Sequence, residues 1–153
     1  MTDSTTARRT PTRPYVTVPE GELDGVRVKR FTVERGDLTN MMAGLNGRST
    51  RPGRYTMLTR DGHLWMSDTD AEWRDHWPAV MRFQWPSTRR VLINGLGLGL
   101  VVAAALAEEH VEHVDVVELD PRVVELVGPH YASDPRAMFR QPSKVLSAYR
   151  SAV

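Results

Sequence analysis

Alternating and continuous apolar positions divide the chain into stretches of different character. Between residues 15 and 67, Val26, Val28, Phe31 and Val33 lie in a β-branched and aromatic run, and residues 55–59 and 63–67 flank Asp61-Gly62. Both residues of that dipeptide tolerate positive φ, so it predicts a tight hairpin. Asn46-Gly47 and Pro52-Gly53 mark further turns. This stretch reads as a small β-rich module.

Trp73, Trp77, Val80 and Met81 then recur at helical spacing and predict a helix over 71–83. An acidic residue of Asp68-Thr69-Asp70 is expected to cap its first turn, and Pro78 is expected to kink or divide it. The Trp and Met stripe reads as packing against the β module. From residue 88 the pattern changes. Residues 90–94 form a short apolar run, expected as a strand buried on both faces in the manner of parallel strands. The run leads directly into Gly95-Leu96-Gly97-Leu98-Gly99, and residues 100–109 then predict a helix. A second strand is expected over 114–118 and a helix from Pro121 to Val127, stopped by Gly128-Pro129. Strand, glycine turn, helix, strand and helix make a βαβα unit, so the fold class is α/β with a parallel sheet. No internal repeat points to a solenoid.

Composition narrows the chemistry. The chain has 153 residues, 20 Lys plus Arg against 19 Asp plus Glu, and no Cys, which excludes Cys-ligated zinc and iron–sulfur sites. A formal charge of +1 argues against a broad footprint for nucleic acid or a membrane surface. The longest apolar stretch, 91–107, is too short for a membrane span and is interrupted by Asn94 and three glycines. Residues 1–14 are polar, lack the apolar region of a secretory signal and are expected as a disordered tail. A cytoplasmic protein is the simplest expectation. His110 and His113 read as a helix end rather than metal ligands, and no metal is expected. Asp68, Asp70, Glu72 and Asp75 read as an acid-rich helix start. Arg8, Arg9 and Arg13, like Arg48, Arg51 and Arg54, read as solvated surface.

Three glycines at alternate positions after a strand let the backbone turn sharply and approach a nucleotide or sugar where a Cβ would collide. Glu118 stands nineteen residues beyond Gly99, at the end of the neighbouring strand, where a carboxylate can accept from both ribose hydroxyls. The two features together point to an adenosyl-type ligand. A dinucleotide turn of the G-x-G-x-x-G form needs a small residue where this chain has Leu100, so NAD is the second choice.

Val-Leu-Ile-Asn-Gly-Leu-Gly-Leu-Gly at 91–99 and Val-Glu-Leu-Asp-Pro at 117–121 resemble the first two motifs of class I S-adenosylmethionine-dependent methyltransferases. The chain is most similar to their spermidine synthase-like branch, over residues 54–136. That resemblance implies a Rossmann-like half domain at 88–136, preceded by the β-rich module with its pre-motif helix at 15–87. It implies that Gly95, Gly97 and Gly99 line the methionine and ribose side of the cofactor, that Glu118 holds the ribose hydroxyls and that Asp120 lies near the adenosine. The implied cofactor is S-adenosylmethionine or decarboxylated S-adenosylmethionine. The implied reaction is alkyl transfer from the sulfonium to a small-molecule acceptor that the sequence does not name.

Departures from the family are specific. Leu98 stands where aminopropyltransferases carry an Asp, and Trp65 and Asp75 stand near the positions of their polyamine-contacting Gln and Tyr, which argues against polyamine transfer. Residues 137–153 depart from the family's third strand and later strands, with Ser143 near the place of the adenine-contacting acid. They are expected as a divergent tail of a C-terminally truncated chain in which no catalytic residue is assigned. Two alternatives stand beside this reading: a non-catalytic interaction module that forms a homodimer through an exposed sheet edge, and a small NAD-binding protein.

Overall fold

The computed structural model describes residues 12–142. Its elements are β1 (Gly21–Leu23), β2 (Val26–Val33), α1 (Leu38–Leu45), β3 (Gly53–Arg60), β4 (His63–Ser67), α2 (Asp70–Phe83), β5 (Arg90–Asn94), α3 (Leu100–Leu106), β6 (His113–Val117), α4 (Pro121–Tyr131) and β7 (Ala137–Arg140). The first four strands make a sheet of order β1-β2-β3-β4, antiparallel throughout. The last three make a parallel sheet of order β5-β6-β7, in which Val91 faces Val114 and Ile93 faces Val116.

Local chemistry accounts for the hairpins. Asp61 and Gly62 have φ of 48° and 80°, the left-handed pair that a two-residue turn between twisted strands requires. Asp24 and Gly25, at 44° and 81°, repeat the device between β1 and β2. Within the β-rich stretch the structure adds a helix that the apolar alternation did not predict. Asp37 caps α1 by accepting from the amides of Thr39 and Asn40. Its Leu38, Met41, Met42 and Leu45 fall at helical spacing and are exposed.

Neither proline ends its helix, which corrects the division expected at Pro78 and the stop expected at Gly128-Pro129. α2 runs unbroken through Pro78, and α4 runs through Gly128 and Pro129 to Tyr131. A helical proline deprives the carbonyl four residues earlier of its partner. Here those carbonyls belong to Arg74 and Glu125, both at exposed positions where water can serve them. Burial of Trp73, Val80 and Phe83 in α2, and of Val127 and Tyr131 in α4, offsets the proline cost of about 3 kcal/mol in each helix. The cap of α2 is Thr69, with Asp70 and Glu72 in the first turn rather than at the cap itself.

Three further expectations change. β5 is an outer strand buried on one face only: Val91 and Ile93 are buried and Leu92 is 66% exposed. Val114 and Val116 of β6 are buried like their register partners on β5, whereas Met138 of β7, in register with Asp115, is exposed. One sheet face therefore carries the core against the helices. The stretch expected as a divergent tail begins with β7, a third parallel strand, while residues 143–153, Ser143 included, lie outside the described residues. Residues 1–11 of the expected disordered tail also lie outside them. Arg13, by contrast, stacks over the Tyr55 ring at 5.1 Å and donates to the Asp68 carbonyl. Beyond it Val16 and Val18 are fully buried.

The two sheets meet through one continuous apolar core running from Val16, Val18 and Leu58 to Leu98, Val114 and Val127. Arg122 of α4 reinforces the junction by donating to the Asp24 carbonyl at 2.6 Å. Among the described residues no helix is long and apolar enough to cross a membrane. One-sided burial has a measurable consequence. Leu58→Ala, at a side chain 1% exposed, is expected to cost about 2–5 kcal/mol in urea unfolding, whereas Leu92→Ala is expected to stay within about 0.5 kcal/mol of the parent.

Candidate functional site

The segment joining β5 to α3 is built on three left-handed glycines, with φ of 90°, 50° and 77° at Gly95, Gly97 and Gly99. The Gly95 amide donates to the Val117 carbonyl at 2.8 Å, and the Gly99 amide closes the turn on the Leu96 carbonyl at 2.8 Å. What lies over each glycine differs. A Cβ on Gly95 would meet open space. One on Gly97 would overlap the Met66 thioether, and one on Gly99 would overlap the Tyr131 ring. Two of the three glycines are thus required by the protein's own side chains, and Gly95 alone faces free volume.

Those two side chains hold the peptide units of Leu98 from two sides. Met66 Sδ accepts the Leu98 N–H at 3.1 Å, and the Tyr131 hydroxyl donates to the Leu98 carbonyl at 2.8 Å. Burial pushes the Tyr131 phenol up to about 12, so it remains a donor across the working range. Met66 reaches the turn because β4 carries a bulge. Leu58 pairs with Met66 and Thr59 with Leu64, which leaves Trp65 as the extra residue. A bulge bends its strand and re-aims neighbouring side chains. Trp65 emerges beneath the Arg60 guanidinium, 5.0 Å from its ring centre.

Gly95, Gly97 and Glu118 line one cavity of about 500 Å³, together with Trp65, Met66 and His76. Glu118, 8% exposed, follows the end of β6 and its carboxylate accepts from the amides of Leu96 at 2.6 Å and Asp120 at 2.9 Å. Each oxygen takes one amide and keeps a lone pair. Gly99 and Asp120 do not line this cavity. Asp120 caps α4 on the Arg122 amide and forms a two-pronged pair with the Arg122 guanidinium at 2.9 and 2.6 Å, which lowers its carboxyl below the usual range. His76 Nε2 stands 3.7 Å from Glu72 Oε1, and burial raises the Glu72 carboxyl. Sequence reasoning missed Met66 and His76 as site residues. The signal for Met66 would have been the single extra residue in β4, which is visible only once the register with β3 is known.

The remaining acids disperse into pairs. Asp70 takes the Arg51 guanidinium at 3.1 Å on both oxygens, along with the Arg51 amide, and these bonds hold its carboxyl down at about 2. Asp68 is buried on the Thr56 amide at 2.6 Å, and that burial raises its carboxyl. Asp75 pairs with Arg48 at 2.7 Å. His110 meets the Phe83 carbonyl at 2.7 Å and His113 meets Asp115 at 2.9 Å, so the two imidazoles serve separate contacts. Among the described residues no group of three His, Asp or Glu side chains could hold a metal ion.

No family model matches the chain, and no curated protein matches it. Solved structures similar to it include the spermidine synthase of Thermotoga maritima, at 25% identity over 81% of this chain and 40% of that one, with a TM-score of 0.46. A spermidine synthase in complex with the transition-state analogue AdoDATO matches at 25% identity over 81% of this chain and 39% of that one, also with a TM-score of 0.46. The chain thus spans about two fifths of the length of these structures.

The Asp70 pair makes stability depend on acid. Its folded value lies below the ordinary 3.8, so the unfolded chain binds the proton first and stability falls as pH drops from 4 towards 2. Asp70→Asn is expected to flatten that decline by about 1 kcal/mol, measured as urea unfolding free energy between about pH 2 and 5, with the solvent around Arg51 limiting the effect.

Proposed function

We propose that the cavity binds the adenosyl portion of S-adenosylmethionine and that the protein is a methyltransferase-like transferase of the spermidine synthase-like type. The observation that carries this reading is the free space over Gly95 beside the buried Glu118 carboxylate. An adenosyl ligand has two neighbouring ribose hydroxyls to donate, and Glu118 keeps a lone pair on each oxygen after binding Leu96 and Asp120. The volume lies within the range of small-molecule sites, and the wall above the turn is largely apolar.

Gly95 and Glu118 would touch the ligand, while Gly97, which also lines the cavity, lies beneath the Met66 thioether. Gly99 and Asp120 would act behind them, Gly99 by starting α3 and Asp120 by giving its amide to Glu118. When bound, the sulfonium supplies an activated leaving group, so the protein's part is to orient donor and acceptor and to exclude water. Leu100, 1% exposed, fills the position that a dinucleotide turn keeps small, which favours an adenosyl sulfonium ligand over NAD. A second reading is a module that pairs with another copy of itself along the outer edge of β5, and the place of β5 at the end of the described parallel sheet favours it. Light scattering tests it: under that reading the chain is a dimer, and a monomer overturns it.

Calorimetry with S-adenosylhomocysteine tests the main reading. Binding is expected with the parent chain, and Glu118→Gln is expected to weaken it about tenfold by removing one acceptor for the ribose. An absence of heat at millimolar ligand would overturn the cofactor assignment.

A further inference from the structure

We propose that α1 is a dimerisation helix: its apolar stripe closes, antiparallel, on the same stripe of a second copy of the chain, with Leu38 of each copy on Leu45 of the other and Met41 on Met42. This surface is separate from the glycine-turn cavity and from the outer edge of β5, and it holds whatever the cavity binds.

The direction in which α1 faces comes first. Leu38, Met41, Met42 and Leu45 stand at i, i+3, i+4 and i+7 and so share one side of the helix, within about 100° of arc. An ordinary surface helix turns such a stripe onto the core. Here the stripe is turned outwards: its four residues are between 57% and 79% exposed, and no residue of α1 is buried. The opposite side fastens the helix to the protein. Asn40 gives its side-chain amide to the Thr50 carbonyl at 2.7 Å and accepts the Thr50 N–H at 2.8 Å. Gly44 lies close enough to Ser49 that a Cβ there would stand 3.4 Å from the Ser49 side chain. α1 is thus held by its polar, small-residue face, and its apolar face is left to water.

The order of residues along the stripe points to a second copy. Leu-x-x-Met-Met-x-x-Leu reads the same in both directions about the point between Met41 and Met42. A two-fold interface demands that where residue i meets j, j also meets i. An antiparallel pair of these helices satisfies that demand with leucine on leucine at each end and methionine on methionine in the middle, at the spacing of one heptad of a coiled-coil seam. Charge agrees, because no residue of α1 ionises and self-pairing brings no like charges together. A helix that lies on a membrane carries Lys and Arg on its polar face, whereas α1 has Thr39, Asn40, Ala43 and Gly44 there. The antiparallel pair also sets the positive end of each helix beside the negative end of the other. Area sets the strength. At these exposures the stripe presents about 500 Å², in the range of the largest patches on monomers, which often serve a function. Two copies closing on one another bury about 1,000 Å², the lower bound of a specific interface, so the dimer is reversible with a dissociation constant on the order of 10 µM.

Sedimentation of the full chain tests the pairing. It is expected to run as a monomer at about 1 µM and mostly as a dimer at about 200 µM. Met41→Glu combined with Met42→Glu sets like charges against one another at the centre and is expected to weaken the dimer about tenfold or more. The urea midpoint at about 1 µM is expected to stay unchanged in that variant, because the stripe buries nothing in the monomer. The chain has no Cys, so single cysteines read the register. With oxidised glutathione, an equimolar mixture of Leu38→Cys and Leu45→Cys chains is expected to form disulfide-linked dimers about fivefold faster than either chain alone. A parent chain that stays monomeric at about 200 µM overturns the proposal, and its co-sedimentation with phosphatidylserine vesicles would then assign the stripe to a lipid surface. A dimer that survives the paired glutamates overturns α1 as the interface and leaves the edge of β5. Equal cross-linking in the mixture and in the single chains overturns the antiparallel register, and the proposal with it.

Discussion

The peptide units that carry the Leu98 amide and carbonyl are held by side chains from two distant elements. The amide meets sulfur from the antiparallel sheet, and the carbonyl meets a phenol from the last helix. Both contacts need a backbone without Cβ atoms at the adjoining positions, and both glycines are present with left-handed φ. A turn of this kind is poor in local stabilisation, since glycine loses the most conformational freedom on folding. Its shape is imposed from outside. Gly95 is left facing open space because the side chains that close over Gly97 and Gly99 stop short of it.

The same constraint explains how two sheets of opposite character share one core. The parallel sheet covers itself on one face with helices, and the antiparallel sheet reaches that assembly through Met66, the buried Leu58 and the strap at Val16 and Val18. The glycine turn lies at their junction. The cavity is consequently a property of the junction, and neither sheet would form it alone.

Legibility in the sequence follows the range of the interaction. The Asp61-Gly62 hairpin and the strand, glycine turn and helix around 90–106 depend on dihedral preferences within a few residues, and these were readable. Glu118 could be placed beside the turn because a βαβ crossover fixes the spacing. What could not be read depends on neighbours far along the chain. Leu92 looks like its buried neighbours Val91 and Ile93 until the sheet order makes β5 an outer strand. Pro78 and Pro129 are strong local stop signals, and they lose to buried side chains on the opposite face of each helix. β1 is three residues long and offers no periodic pattern to detect, whereas Leu38, Met41, Met42 and Leu45 of α1 stand at helical spacing that a reading for strand alternation passes over. Gly97 and Gly99 illustrate the hardest case: their type was legible, but the methionine and the tyrosine packed over them were not.

The two contacts at Leu98 also order events in time. Met66 lies 32 residues before Leu98 and Tyr131 lies 33 after it. Closing loops of that length carries an entropy cost that must be met before either contact can reward it. The turn can therefore take its final form only after α4 has docked and the hairpin has registered its bulge. Complete docking of both halves becomes a precondition for the cavity, so a partly folded chain would present strands and helices but no enclosed space over Gly95.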